Sequence, residues 1–138
     1  MRVFRWTKAI AMFVPELDEE HRTIFRTAGE LQRAILEGAA LAELEEILRR
    51  LIAHAEEHFE HEERLMRSFH YPIFEWHRLQ HETVRKRLKH FVPLIEGGDR
   101  EAPTLLIEFL HQWLTNHLGL ADRMMGAFLR NQQRLHAA

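Results

Sequence analysis

Five histidines and two carboxylates stand at helical spacing along this 138-residue chain, where a buried apolar stripe would otherwise run. His58 and Glu62 are four residues apart, as are His77 and His81, so each pair shares one face of a helix. His21 falls in a stripe with Leu17, Ile24, Ala28, Leu31 and Ile35. His117 follows Trp113 by one turn, and Asp122 comes five residues later, about 140° round an ideal helix. Asp122 must therefore reach sideways, or the helix must be distorted there. Taken singly, each group has an ordinary explanation. A core histidine is usually hydrogen-bonded, and a Glu–His pair at this spacing is often a surface contact. Seven such groups facing inward at one level would be very costly to bury unless paired or bound to metal.

The donor count narrows the metal. Seven ligands overfill a tetrahedral zinc site. They suit two metal ions close together, bridged by the two carboxylates. Imidazole matches iron, zinc and copper, while bridging carboxylates fit iron or manganese. The zinc-protease motif HExxH is absent: Leu65 follows His61-Glu62, and Arg85 follows His81-Glu82, where a second histidine belongs. A zinc-filled structural bundle is the plain alternative. Glu63 is expected to pair with a cation. His61, His70, His90, His111 and His136 fall off the metal-facing positions and are assigned to surface or loops.

Four amphipathic segments must position these groups. The spacing predicts helices over about 16–37, 41–69, 73–91 and from Asp99 or Thr104 to about 130. Gly38-Ala39-Ala40, His70-Tyr71-Pro72 and Pro93 with Gly97-Gly98-Asp99 make the breaks. Pro103 is tolerable only in a first helical turn. No period-two alternation runs long enough for a strand. The expected fold is all-α, an up-down-up-down four-helix bundle within one domain over 1–138. Residues 1–15 form an N-terminal arm and 131–138 a polar, frayed tail.

Composition fits this. Hydrophobic residues make up 46% and charged residues 29%, the profile of a globular chain. A net charge of -2 gives no basic field for nucleic acid or an anionic membrane. With no cysteine, disulfides, thiolate zinc sites and cysteine nucleophiles are excluded. Arg2, Arg5 and Lys8 precede the apolar Ala9–Val14, but that run is too short for a signal peptide and ends at Pro15-Glu16. No stretch approaches the ~20 apolar residues of a membrane span. A cytoplasmic monomer is expected.

Asp18-Glu19-Glu20-His21, His58 through Met66, Tyr71-Pro72 with His77 and His81, and Trp113 through His117 with Asp122 resemble the hemerythrin family, bacterial members included. The family pattern is H…HxxxE…HxxxH…HxxxxD, and the resemblance runs from Trp6 to about Met125. It implies two iron ions joined by an oxo or hydroxo bridge. His77, His81 and His117 would hold one, His21 and His58 the other, and Glu62 and Asp122 would bridge both. The second iron then has one open position, where dioxygen would bind. Phe59, Trp113, Leu114 and Leu118 would line that pocket as well as the core. His54, one turn before His58, stands where the family often has an aromatic residue, and it either supports a ligand from behind or simply packs. The function implied is reversible dioxygen binding for storage, delivery or sensing. The rival is a di-iron enzyme acting on peroxide, nitric oxide or dioxygen. Five imidazoles among seven ligands favour binding over oxidation.

Overall fold

Pro15 opens the first helix at a position where its missing N–H costs nothing. The computed structural model describes residues 4–137, and the side chain of His136 lies outside the described residues. The helices are α1 (Pro15–Leu36), α2 (Leu41–Ser68), α3 (Phe74–Glu96), α4 (Ala102–His117) and α5 (Arg123–Ala137). A π turn, Leu118–Asp122, joins α4 to α5 without a break, so these three segments form one long fourth helix. No strand occurs among the described residues. Each helix packs on the next and α4 closes back on α1, giving the expected four-helix bundle.

The breaks carry the expected chemistry. Gly38 and Gly98 take positive φ values of 71° and 81° just beyond α1 and α3, where a residue lacking Cβ is favoured. His70 does the same after α2 at φ 54°, and Tyr71 N–H returns to the Met66 carbonyl at 2.8 Å. Asp99, not Thr104, helps start α4 from just before its N-cap Glu101, its Oδ1 accepting from the N–H groups of Glu101 and Ala102.

Two expectations need correction. α3 does not stop near Phe91 but continues through Pro93 to Glu96. Proline forfeits only its own bond to the Lys89 carbonyl, and the buried Phe91 and Ile95 on either side hold the last turns to the core. Nor does the final helix fray after Arg130. It runs to Ala137, because no glycine or proline interrupts 127–137 and Leu129 anchors it in the core.

The arm before α1 is described from Phe4. It contains a 3-10 turn, Lys8–Ile10, packed against the π turn, and it buries Met12 and Val14 under the bundle. Asp18, in the first turn of α1, reaches back to accept from the N–H groups of Met12 (2.8 Å) and Phe13 (3.0 Å). Arg130 donates to the Met12 carbonyl from the other side.

Apolar packing splits into two parts. A large cluster holds Ile24, Ala28, Leu51, Ala55, Phe59, Val84, Leu88, Leu110, Leu114 and Leu118. A smaller one holds Met12, Val14, Leu17, Met66, Tyr71, Met125 and Leu129. Along every helix, the histidines and carboxylates of interest lie between residues of one cluster and residues of the other.

Candidate metal centre

All seven predicted donors are buried, none more than 3% exposed, and all lie in that intervening layer. Helix geometry explains the i,i+4 pairs on α2 and α3. The π turn explains Asp122. Its wider i→i+5 winding brings residues five apart onto one face, so Asp122 Oδ1 lies 2.8 Å from His117 Nε2. Of the two alternatives left open by the HxxxxD spacing, the local distortion is the one the chain adopts.

The two carboxylates divide their oxygens between two groups of imidazoles. Glu62 Oε1 lies 3.0 Å from His81 Nε2 and 3.5 Å from His77 Nε2. Its Oε2 lies 3.1 Å from His58 Nε2 and 3.7 Å from His21 Nε2. Asp122 Oδ1 faces His77 at 2.9 Å as well as His117, and its Oδ2 faces His21 at 3.1 Å. The donor atoms thus fall into two sets, each within 4.8 Å: Glu62, His77, His81, His117 and Asp122 in one, and His21, His58, Glu62 and Asp122 in the other. Both carboxylates belong to both sets.

These atoms are close without being hydrogen-bonded. Among the described residues, none of the five Nε2 atoms, and neither oxygen of Glu62 or Asp122, has a hydrogen-bond partner although all are buried. Unsatisfied groups at such density are rare in a folded protein. Neighbouring ligands about 2.1 Å from one octahedral ion stand about 3.0 Å apart, close to the shorter spacings here. The residues fit a pair of metal ions.

The electrostatics point the same way. Burial opposes protonation of His58, but the nearby Glu62 carboxylate and the hydrogen bond to Glu20 hold its pKa at about 10. His77 likewise reaches about 10 against its burial, through Asp122 and Glu62. Burial pushes Glu62 up, yet His58 and its neighbours draw it well below the ordinary carboxylate range. Asp122 is also held far down, against both burial and the Glu62 charge. His117 is lowered, with burial the dominant cause. The site attracts cations.

Three of the imidazoles are held from behind. His58 Nδ1 meets Glu20 Oε1 at 2.7 Å, His81 Nδ1 meets Glu63 Oε2 at 2.8 Å, and His117 Nδ1 meets Gln80 Oε1 at 2.8 Å. Each partner oxygen can only accept, so each Nδ1 carries a proton and each Nε2 is turned toward the centre, where its lone pair would be available once a metal displaces any proton there. Glu63 also pairs with Arg85 at 3.0 Å, as expected of it. Nδ1 of His21 and of His77 has no such partner among the described residues.

The bystanders sort unevenly. His70 and His90 are exposed. His61 lies at the rim of the bundle, partly buried in α2 with Nδ1 2.7 Å from Glu20 Oε2. His111 is half-buried too, packed against Phe4 of the arm. His54 is partly buried one turn from His58. Phe59 stacks on His81 with centroids 4.2 Å apart, and Trp113 stacks on His117 at 4.7 Å. Leu114 and Leu118 are fully enclosed in the larger apolar cluster. Glu20, Gln80 and Arg85 were not singled out from sequence. Each partner lies on another helix or at no diagnostic spacing, so only the assembled fold reveals them.

A helical bundle with a buried layer of five imidazoles and two shared carboxylates belongs to the class of bundle proteins that hold a metal pair. The model of the hemerythrin HHE cation binding domain matches residues 12–129, and the chain belongs to the hemerythrin family. Bacteriohemerythrin of Ralstonia nicotianae is 29% identical over 129 residues, covering 94% of this chain and 90% of its own length. Myohemerythrin of Theromyzon tessulatum is 29% identical over 119 residues, covering 86% of this chain and 88% of its own length. A crystal structure of wild-type hemerythrin superposes with a TM-score of 0.84 at 27% identity, covering 91% of this chain and 96% of that one.

Proposed function

We propose that this protein binds dioxygen reversibly at a di-iron centre, for storage, delivery or sensing. The observation that carries the reading is the oxygen-by-oxygen sharing of Glu62 and Asp122 between two groups of imidazoles. In it, His77, His81 and His117 would hold one iron, His21 and His58 would hold the other, and Glu62 and Asp122 would serve both. The irons supply the electrons on which reversible dioxygen binding depends. With two histidines against three, the His21–His58 half would be one protein ligand short, which would leave a position there for a small ligand.

The chain's own residues set how the site behaves. The two carboxylates offset part of the metal charge, and the five imidazoles stay neutral. Glu20, Glu63 and Gln80 fix three of those rings with Nε2 turned inward. Leu114, Leu118, Phe59 and Trp113 wall the layer with apolar and aromatic surface, which keeps water and anions from the irons. No helix among the described residues is long and apolar enough to cross a membrane. The reading takes the protein as a cytoplasmic monomer.

The test is to mix anaerobic diferrous protein with oxygen in a stopped-flow instrument, follow the optical spectrum, and then remove the oxygen. One dioxygen taken up per two irons, with the diferrous spectrum restored on deoxygenation, is the expected result. Irreversible oxidation, or sustained turnover of peroxide or nitric oxide with an electron donor, would overturn it in favour of an enzyme. A protein that holds zinc and refuses iron would overturn the di-iron reading itself.

A further inference from the structure

We propose that Glu20, held in place by His61, is the positioning residue for the half of the centre formed by His21 and His58. The inference rests on the di-iron reading above and concerns residues outside the seven ligands. Glu20 projects from α1 beside His21, while His58 and His61 stand three apart on the same side of α2. One oxygen of the Glu20 carboxylate meets His58 Nδ1 at 2.7 Å, and the other meets His61 Nδ1 at 2.7 Å. The carboxylate is therefore gripped at both ends by imidazoles of one helix.

The two halves of the centre differ in what stands behind them. On the three-histidine half, Glu63 holds His81 and Gln80 holds His117, and Glu63 is itself fixed by Arg85. On the other half, His21 Nδ1 has no partner among the described residues. The orientation and donor strength of that half thus depend on a single hydrogen bond from behind, the one Glu20 makes to His58. A carboxylate at Nδ1 fixes the tautomer and makes the imidazole a stronger donor. Glu20 is also a long side chain with 34% of its surface exposed, free to swing into water unless something holds it. His61, 24% exposed, supplies that hold across the rim of the bundle. Its role is to keep the Glu20 carboxylate against His58.

Cobalt(II) titration of chelator-treated protein, read by calorimetry and by the visible spectrum, tests this without reference to oxygen binding. Wild type is expected to take two cobalt ions. Glu20→Leu should weaken one of the two sites by about 10–100-fold, the same site that His58→Ala abolishes, and leave the other unchanged. Glu20→Gln, isosteric and still able to accept, should fall between. His61→Leu should weaken that same site less, and His61→Gln, which can donate to Glu20, should restore it. The double variant Glu20→Leu with His61→Leu should be no weaker than Glu20→Leu alone, because His61 acts only through Glu20. With iron loaded, Glu20→Gln should raise the midpoint potential, since a negative charge behind His58 favours the oxidised metal. Two unchanged affinities in Glu20→Gln and Glu20→Leu would overturn the proposal, as would equal weakening of both sites or independent effects of Glu20 and His61. Wild type that takes one metal or none would instead overturn the di-metal reading.

Discussion

Glu62 is the residue on which both halves of the centre depend, since each of its oxygens faces a different set of imidazoles. Glu62→Ala should lower iron from two per chain to less than one, as metal analysis of the purified variant would show. Leu118 is buried beside His117 and makes no polar contact. Leu118→Ala should cost about 2–5 kcal/mol in a denaturant melt. It should also speed conversion of the oxygenated protein to its oxidised form while iron content stays at the wild-type level. Two pairs of these residues were legible from spacing: four-residue steps place His58 with Glu62 and His77 with His81, while the division of the seven into two sets came from the family resemblance. What stood behind them was not. Glu20 is one of three acidic residues in Asp18-Glu19-Glu20, and a lone helix does not say which of them turns toward α2. His61 reads as off the stripe because its partner sits on another helix.

At the scale of elements, the arm and the π turn do the most to set the site. The arm is held where it crosses α5, and a Cβ on Gly126 would stand 2.7 Å from the Met12 carbonyl oxygen. Gly126→Ala should push the arm away and cost about 1–3 kcal/mol in thermal or denaturant melts. Asp18→Asn should compound that loss, since the Met12 and Phe13 amides then face an amide side chain that offers one acceptor instead of two. Four helices and their breaks could be read from periodicity, glycines and His70-Tyr71-Pro72, to within a few residues at most ends. Pro93 misled because a single proline is a weak stop when the residues around it are buried. The polar 131–137 stretch misled because polarity says nothing against a solvated helix. The five-residue step from His117 to Asp122 signalled distortion, but only the structure shows it as a π turn.

For the whole molecule, the charge layer makes stability depend on pH when metal is stripped. His58 and His77 are raised from 6.5 to about 10, so their stabilising contribution is complete below 6.5 and is lost as pH climbs toward 10. Glu62 and Asp122 are drawn below 4.5 and 3.8, so theirs is complete above those values and is lost in stronger acid. Chelator-treated protein should therefore melt highest between about pH 4.5 and 6.5 and progressively lower toward pH 10. Iron should remove most of the alkaline decline, because it replaces the protons. A melting temperature of the stripped protein that rises from pH 6.5 to 9 would contradict this. The layer has one more consequence. Its seven donors run from His21 to Asp122, drawn from all four helices of the bundle and from the π turn. No helical hairpin and no three-helix intermediate brings together the full complement for either ion, since Asp122 belongs to both sets and arrives with the final helix. Completion of the donor layer is thus tied to the last step of assembly: until the final helix has docked, both sets lack Asp122 and one also lacks His117.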